Sequence, residues 1–186
     1  MAEYALFVPE CNVDTALTLS LVAYRYTFVS HRQGIGQVAR VLKEQGPASQ
    51  AGRVVVGMVD RDKKFAQAPE LAKFRPLARP RRGQEEFHEI LQHPELPNEY
   101  LIVLNPACDT WLFRAAAAAG LDLAALGLPA ALPAFIDFCK QENVEEHKLM
   151  RLLLHEIQRA QPIAYRDLAD FVAQVMNLSP AQQRLT

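Results

Sequence analysis

The sequence lacks several features that would fix its class at once. It has no apolar run approaching the roughly 18 residues of a membrane span, and its start, MAEYALFVPE, carries none of the basic residues of a secretion signal. Its three cysteines, Cys11, Cys108 and Cys139, are odd in number and widely spaced, with no CxxC pair, so neither a disulfide framework nor a structural zinc site is suggested. It has no GxSxG nucleophile elbow and no Walker A lysine motif, so serine hydrolases and P-loop enzymes lose their main support. It has no surplus of one charge either. Twenty Lys and Arg stand against 21 Asp and Glu, a net charge of −1, so any nucleic-acid or membrane partner must meet a local patch rather than a polycation. A soluble, cytoplasmic protein is expected. Its 186 residues, 50% hydrophobic and 22% charged, suit one globular domain with room for a helical extension.

Strand and helix signals alternate along the first 120 residues. Tyr4 to Pro9 is a short apolar run that stops at Glu10, after which Asn12 can cap a helix with Val13, Leu17 and Leu21 on one face. Tyr26 to Ser30 is β-rich and gives way to the glycine turn HRQGIGQ. Val38, Val41 and Leu42 then recur at helical spacing until Gly46 and Pro47, which are expected to end the helix. Arg53 to Val59 is a continuous apolar run of the kind buried on both faces of a parallel sheet, and it closes on Asp60-Arg61-Asp62. Tyr100 to Leu104 is a fourth run, followed by Asn105-Pro106 and a helix expected from about Asp109 to Ala119. Four strands separated by helices predict an α/β fold with a sheet of about four mainly parallel strands.

From residue 121 to 186 the pattern is helical only, so the chain divides into an α/β domain over 1–120 and a C-terminal helical extension. In its middle helix Leu149, Leu152, Leu153 and Ile157 form an apolar stripe, assigned to packing against the sheet or a partner chain, including a second copy. The segment 61–82 interrupts the alternation. It holds eight Lys and Arg against two acids, a local charge of +6 that leaves about −7 for the rest, together with three prolines. It reads either as an exposed soluble loop or as a source of phosphate contacts with steep salt dependence.

Ligands of open parallel sheets bind at the carboxyl ends of the strands. Here Glu10 closes the first strand, Asp14 follows one helical turn later, Asp60 and Asp62 close the third, and Asp109 follows the fourth. Five carboxylates on one edge repel each other unless cations neutralise them, and hard oxygen donors suit Mg²⁺ or Mn²⁺. One or two such ions can activate water and stabilise the leaving oxygen of a phosphodiester. Asp60 and Asp62, two apart in an extended segment, point the same way. Lys63 or Lys64 can stabilise charge on the transferring phosphate. Simpler roles stand beside these: Asp14 can complement its helix dipole, Asp109 can cap the next helix, and Asp62 can sit in a solvated turn with Arg61 or Lys63.

The ordered set of a first-strand Glu, a glycine between the second strand and its helix, and Asp-x-Asp after the third strand resembles the TOPRIM domain of topoisomerases, primases and related nucleases. Glu10-x-x-x-Asp14, with Pro106 and an acid before Trp111, is most similar to the OLD-type TOPRIM nucleases and their small defence-associated relatives. The resemblance spans roughly residues 4–115. It departs at Cys11, where the family often has glycine, and at Asp109, where relatives often carry Glu. It implies that Glu10 is a metal ligand and acid/base group, that Asp60 and Asp62 are metal ligands, and that Gly36 is a close-packed backbone position. It further implies a nuclease acting on DNA or RNA in antiviral defence or as a toxin, often with an ATPase partner chain. A catalytically weak TOPRIM-like assembly subunit is the alternative.

A different reading attaches to Gly34-Ile-Gly36-Gln-Val-Ala39, which matches the GxGxxA form of a dinucleotide fingerprint, with Asp60 placed for a ribose. Against it, His31, Arg32 and Gln33 separate strand from glycine, and Glu10 and Asp62 go unexplained. Gly34 and Gly36 can also serve a turn with positive φ or tight helix packing. Of the histidines, only His31 falls near the expected cleft, and Trp111 is assigned to the core.

Overall fold

A computed structural model describes residues 5–22, 27–61, 65–77 and 87–176. The first strand, β1 (Ala5–Pro9), leads through α1 (Asn12–Leu21) to β2 (Thr27–Val29), and then α2 (Ile35–Gln50) leads to β3 (Val55–Asp60). After two short 3-10 turns come β4 (Arg75–Pro76), β5 (His88–Gln92) and β6 (Glu99–Leu104). The remainder is helical: α3 (Cys108–Ala118), α4 (Leu132–Cys139), α5 (Lys148–Ala160) and α6 (Ile163–Val175). The fold is α/β, built on one six-stranded sheet ordered β2-β1-β3-β6-β5-β4. The first four strands in that order are mutually parallel, β5 runs antiparallel to β6, and β4 runs antiparallel to β5.

Strands β4 and β5 were not expected from the sequence. HEILQ mixes charge with apolar residues because β5 lies toward the edge, where only His88, Ile90 and Leu91 are buried. The two exposed residues of β4 include a proline, which suits an outer strand that need not donate on its free side. The other expected strands appear within a residue or two of their sequence bounds.

Alternation along the central strands separates two cores. Leu6, Val8, Val55, Val59, Leu101 and Val103 face α2 and the 65–74 segment. Phe7, Val56, Met58, Ile102 and Leu104 face α1, α3 and the C-terminal helices, which share one continuous core. Trp111, Phe135, Tyr165 and Phe171 are almost wholly buried there, each contributing on the order of 2 kcal/mol of apolar transfer. Helices α4 to α6 therefore pack on the same sheet as α1 and α3. Tyr165 donates its hydroxyl proton to the Ser20 carbonyl at 2.7 Å, and the Tyr100 and Phe171 rings meet edge to face. His88 of β5 bonds Asp167 of α6 at 2.9 Å through Nε2 and accepts the indole N–H of Trp111 at Nδ1. Among the described residues no helix is long and apolar enough to cross a membrane.

Two helix expectations are corrected. Helix α2 does not stop at Gly46-Pro47 but runs through Pro47 to Gln50. Proline removes one donor, and the last turn is held from outside by Asn98, which donates to the Ser49 carbonyl, and by Arg53 N–H on Ala48. In α5 the buried stripe is Met150, Leu153, Leu154 and Ile157, while Leu149 and Leu152 lie at its partly covered flanks.

The glycine demanded by packing is also not the expected one. A Cβ at Gly36 would meet nothing within 4 Å, so Gly36 is not a close-packed position. At Gly57, in the middle of β3, a Cβ would meet Leu101 and Leu42 at 3.0 Å and Val38 at 3.3 Å. The missing side chain lets α2 lie close against the sheet. Urea denaturation should therefore show Gly57→Val destabilised by about 1–3 kcal/mol through overpacking. Gly36→Ala, in an open helical position, should be neutral or stabilising by up to about 1 kcal/mol.

Candidate functional site

The order β2-β1-β3 means that the chain leaves β1 toward one edge, returns through α2, and places β3 on the other side of β1. Helix α1 covers one face and α2 the other. The carboxyl ends of β1 and β3 thus flank a topological switch point, the crevice where open α/β sheets bind ligands. Glu10 follows the last residue of β1 and Asp60 is the last of β3.

Glu10 lies at the junction of three elements. Its Oε1 accepts the backbone N–H of Ile35 at 3.0 Å, and its Oε2 accepts the backbone N–H of Asp60 at 3.3 Å. The loop after β2 delivers the first of these donors. Ser30, Arg32 and Gly34 donate backbone N–H groups to the carbonyls of Phe7, Pro9 and Glu10, so the loop is laced along the end of β1. Gly34 then turns with φ +90°, a left-handed conformation suited to glycine, and opens α2. The amino end of α2, an intrinsic anion site, therefore holds the protein's own Glu10 carboxylate.

Asp60 and Asp14 lie on the other face, against α1 and α3. Asp60 Oδ1 accepts the backbone N–H of Cys108, in the first turn of α3, at 2.8 Å. Asp14 Oδ2 accepts the Cys11 backbone N–H at 3.2 Å and closes the first turn of α1. Asp14 is fully buried, and its Oδ1 is reached by no N–H or O–H donor. Burial is the main reason that both acids lie well above the usual carboxylate range. Charge repulsion adds to it: Asp14, Glu10 and Asp109 raise Asp60, and Glu10 raises Asp14. The Cys108 amide opposes the rise at Asp60, and the Cys11 and Cys108 thiols, weak donors, oppose it at Asp14. The same surroundings push both thiols far above their ordinary range, so neither is a ready thiolate.

The structure thus brings together Glu10, Asp14 and Asp60, with Asp109 close enough to act on Asp60. Asp109 does not cap α3. It sits in the first turn, after the N-cap Ala107, and accepts from the backbone N–H and the hydroxyl of Thr110. Asp62, Lys63 and Lys64 lie outside the described residues. So does much of the basic segment, and its described part is largely paired within the fold. Arg61 bonds Glu89 and stacks over Phe65, Lys73 bonds Glu70, and Arg75 donates to the Ala72 carbonyl. Among the described residues no group of three or more His, Cys, Asp or Glu side chains that could hold a metal ion is present. His31 is half-buried beyond β2, and Trp111 is core.

Sequence reasoning missed the amide donors of Ile35 and Cys108, which carry no side-chain signature. The nearest available signal was a glycine or a short turn directly before each apolar helical run. No family model, curated protein or solved structure matches the chain.

A carboxyl group whose folded-state pKa is raised binds its proton more tightly in the folded chain than in the unfolded one. Its stabilising contribution is present at low pH and is lost as pH rises past the ordinary carboxylate range. In chelator, thermal stability should fall between about pH 5 and about pH 9. The fall should be smaller in Asp60→Asn, whose amide oxygen still accepts from Cys108. Equal slopes for the two proteins in a calorimetric pH series would count against this electrostatic account.

Proposed function

We propose that this chain is a divalent-metal-dependent nuclease of the TOPRIM kind, cleaving phosphodiester bonds of DNA or RNA. The observation that carries the reading is Asp14 Oδ1, a fully buried carboxylate oxygen that no N–H or O–H donor reaches, set beside Asp60 and Glu10 at the switch point of the sheet. An acidic cluster that repels itself and contains an orphaned oxygen suits a hard cation. Asp60 and Asp14 are the residues of the described structure that would hold Mg²⁺ or Mn²⁺, and Asp62, two positions beyond Asp60, is the further ligand expected from the sequence. When bound, the ion supplies Lewis-acid polarisation of a phosphoryl oxygen and a water of lowered pKa.

The chain's own residues divide the remaining work. Glu10 is a positioning residue. Bonds from the Ile35 and Asp60 amides hold its two carboxyl oxygens and fix the end of β1 against β3. The Cys108 amide orients Asp60 in the same way from α3. Lys63 is assigned to the charge developing on the transferred phosphate. The dinucleotide reading is less well supported, because Glu10 takes the helix N-terminus that a pyrophosphate would need.

Purified chain incubated with plasmid DNA and with structured RNA in Mn²⁺ or Mg²⁺ should cut at least one of them. Asp60→Asn and Asp14→Asn should each slow cutting by roughly 100-fold or more. Glu10→Gln should lower the rate and also weaken metal-induced thermal stabilisation, a readout that separates positioning from chemistry. Metal-independent cutting, or a rate unchanged in Asp60→Asn, would sink the proposal. Absence of cutting together with retained metal binding would instead favour the assembly-subunit alternative.

A further inference from the structure

The opposite end of the sheet holds another buried carboxyl group. Glu99 opens β6 opposite Val55, while Asp60 lies opposite Leu104, five residues or about 17 Å of strand away. Glu99 is only 2% exposed, and its Oε2 has no hydrogen-bond partner. A buried carboxylate oxygen left without a donor is costly, so this one calls for an explanation. Glu99 lines a cavity of about 190 Å³ between α2, the 70–74 segment and the 93–99 loop. That volume equals roughly six waters' share of liquid.

The walls are apolar where they meet Leu42, Leu71 and Leu96, and aromatic where Phe74 meets His93 edge to face at 5.3 Å. Lys43 and Lys73 also line the cavity, but both bond the single carboxylate of Glu70, Lys43 at 3.3 Å. Glu95 adds a further acid, and burial holds His93 below its ordinary range, toward the neutral imidazole. With Glu99 ionised the lining therefore carries three carboxylates against two ammonium groups, a net charge of −1.

We propose that this cavity binds a small organic monocation, a primary ammonium ion with a short aliphatic chain, which donates to Glu99 and lays its chain against the leucines. Such a ligand meets three conditions together. It supplies the donor that Oε2 lacks, cancels the net charge of the lining, and places a cation beside aromatic rings. An anion would meet Glu99 at the buried wall, and a neutral alkanol would leave the charge uncompensated. Desolvation holds Glu99 up to about 7, with Lys73 opposing the rise. Because the ammonium ion binds the carboxylate and not the acid, affinity rises with pH through that region. The other groups facing Glu99 are Lys43, Glu70, Glu95 and His93.

The test uses n-butylammonium chloride on the full chain, by calorimetric titration, with n-butanol and sodium butyrate as neutral and anionic controls. Butylammonium should bind saturably with one-to-one stoichiometry and the controls should not. Glu99→Gln should weaken binding roughly tenfold or more, as expected for losing a charged hydrogen bond. Leu96→Trp, which fills the cavity and leaves Glu99 in place, should abolish it and covers the case in which Glu99→Gln fails to fold. Asp60→Asn should bind as the parent does, because the acidic cluster is at the far end of the sheet. Equal binding of butanol or butyrate, undiminished binding by Leu96→Trp, or loss in Asp60→Asn would each overturn the proposal.

Discussion

Much of this structure depends on one side chain, the carboxylate of Glu10, bonded at the same time to the first amide of α2 and to the last amide of β3. Two hydrogen bonds to one side chain hold it in a single orientation. Here they also fix geometry. They tie the carboxyl ends of β1 and β3 to each other and to α2 at the point where the sheet's winding reverses. They also occupy the helix terminus that would otherwise attract an external anion. The candidate site is consequently acidic, with the helix-terminal amides of Ile35, Cys108 and Cys11 already engaged by the protein's own carboxylates, an arrangement that suits a cation better than a phosphate group.

The layer on the far face gives Asp60 and Asp14 their character. Asp60 accepts from α3, whose Trp111 donates to His88, and His88 in turn meets Asp167 on α6. An imidazole accepting at Nδ1 carries its proton on Nε2 and donates it to the Asp167 carboxylate, so both ring nitrogens are satisfied in a nearly water-free place. Helices α3 and α6 are thereby joined to β5 through polar bonds that a shifted packing would break. The C-terminal helices act on the site indirectly. By covering α1 and α3 they keep Asp14 and Cys108 out of water, and that dryness is what raises the two aspartates.

The sequence made the site's acids legible and left their surroundings hidden, for physical reasons. Glu10 and Asp60 directly follow continuous apolar runs and Asp14 lies one helical turn past Glu10, and a run buried on both faces marks a central parallel strand whose end faces the crevice. The same logic fails for β5, because a strand near an edge mixes buried and half-buried positions and HEILQ loses its period. It fails for α2, where Pro47 is tolerated because Asn98 and Arg53 support the last turn from elsewhere in the chain. It misplaces the tight glycine. Gly36 lies in a motif and Gly57 in an apolar run, yet only Gly57 has a neighbour, and neighbours across a sheet are tertiary facts. Backbone donors are the largest loss, since Ile35 and Cys108 act through N–H groups that every non-proline residue has.

Stability alone does not account for the clustered acids at the carboxyl ends of β1 and β3. Replacing Asp14 by an apolar residue would remove a buried, partly unsatisfied carboxyl and its repulsion with Glu10 and Asp60, which for folding alone is a gain. The surrounding structure is otherwise well satisfied, with backbone donors assigned to Glu10, Asp60 and the second oxygen of Asp14. A buried carboxylate oxygen that no N–H or O–H donor reaches carries a local cost, and here the cost falls in a crevice suited to ligands. Costs of that kind concentrate where activity requires them. At the Asp14 end of the sheet, like charges gather around that oxygen, and a positive charge would relieve both the repulsion and the missing donor.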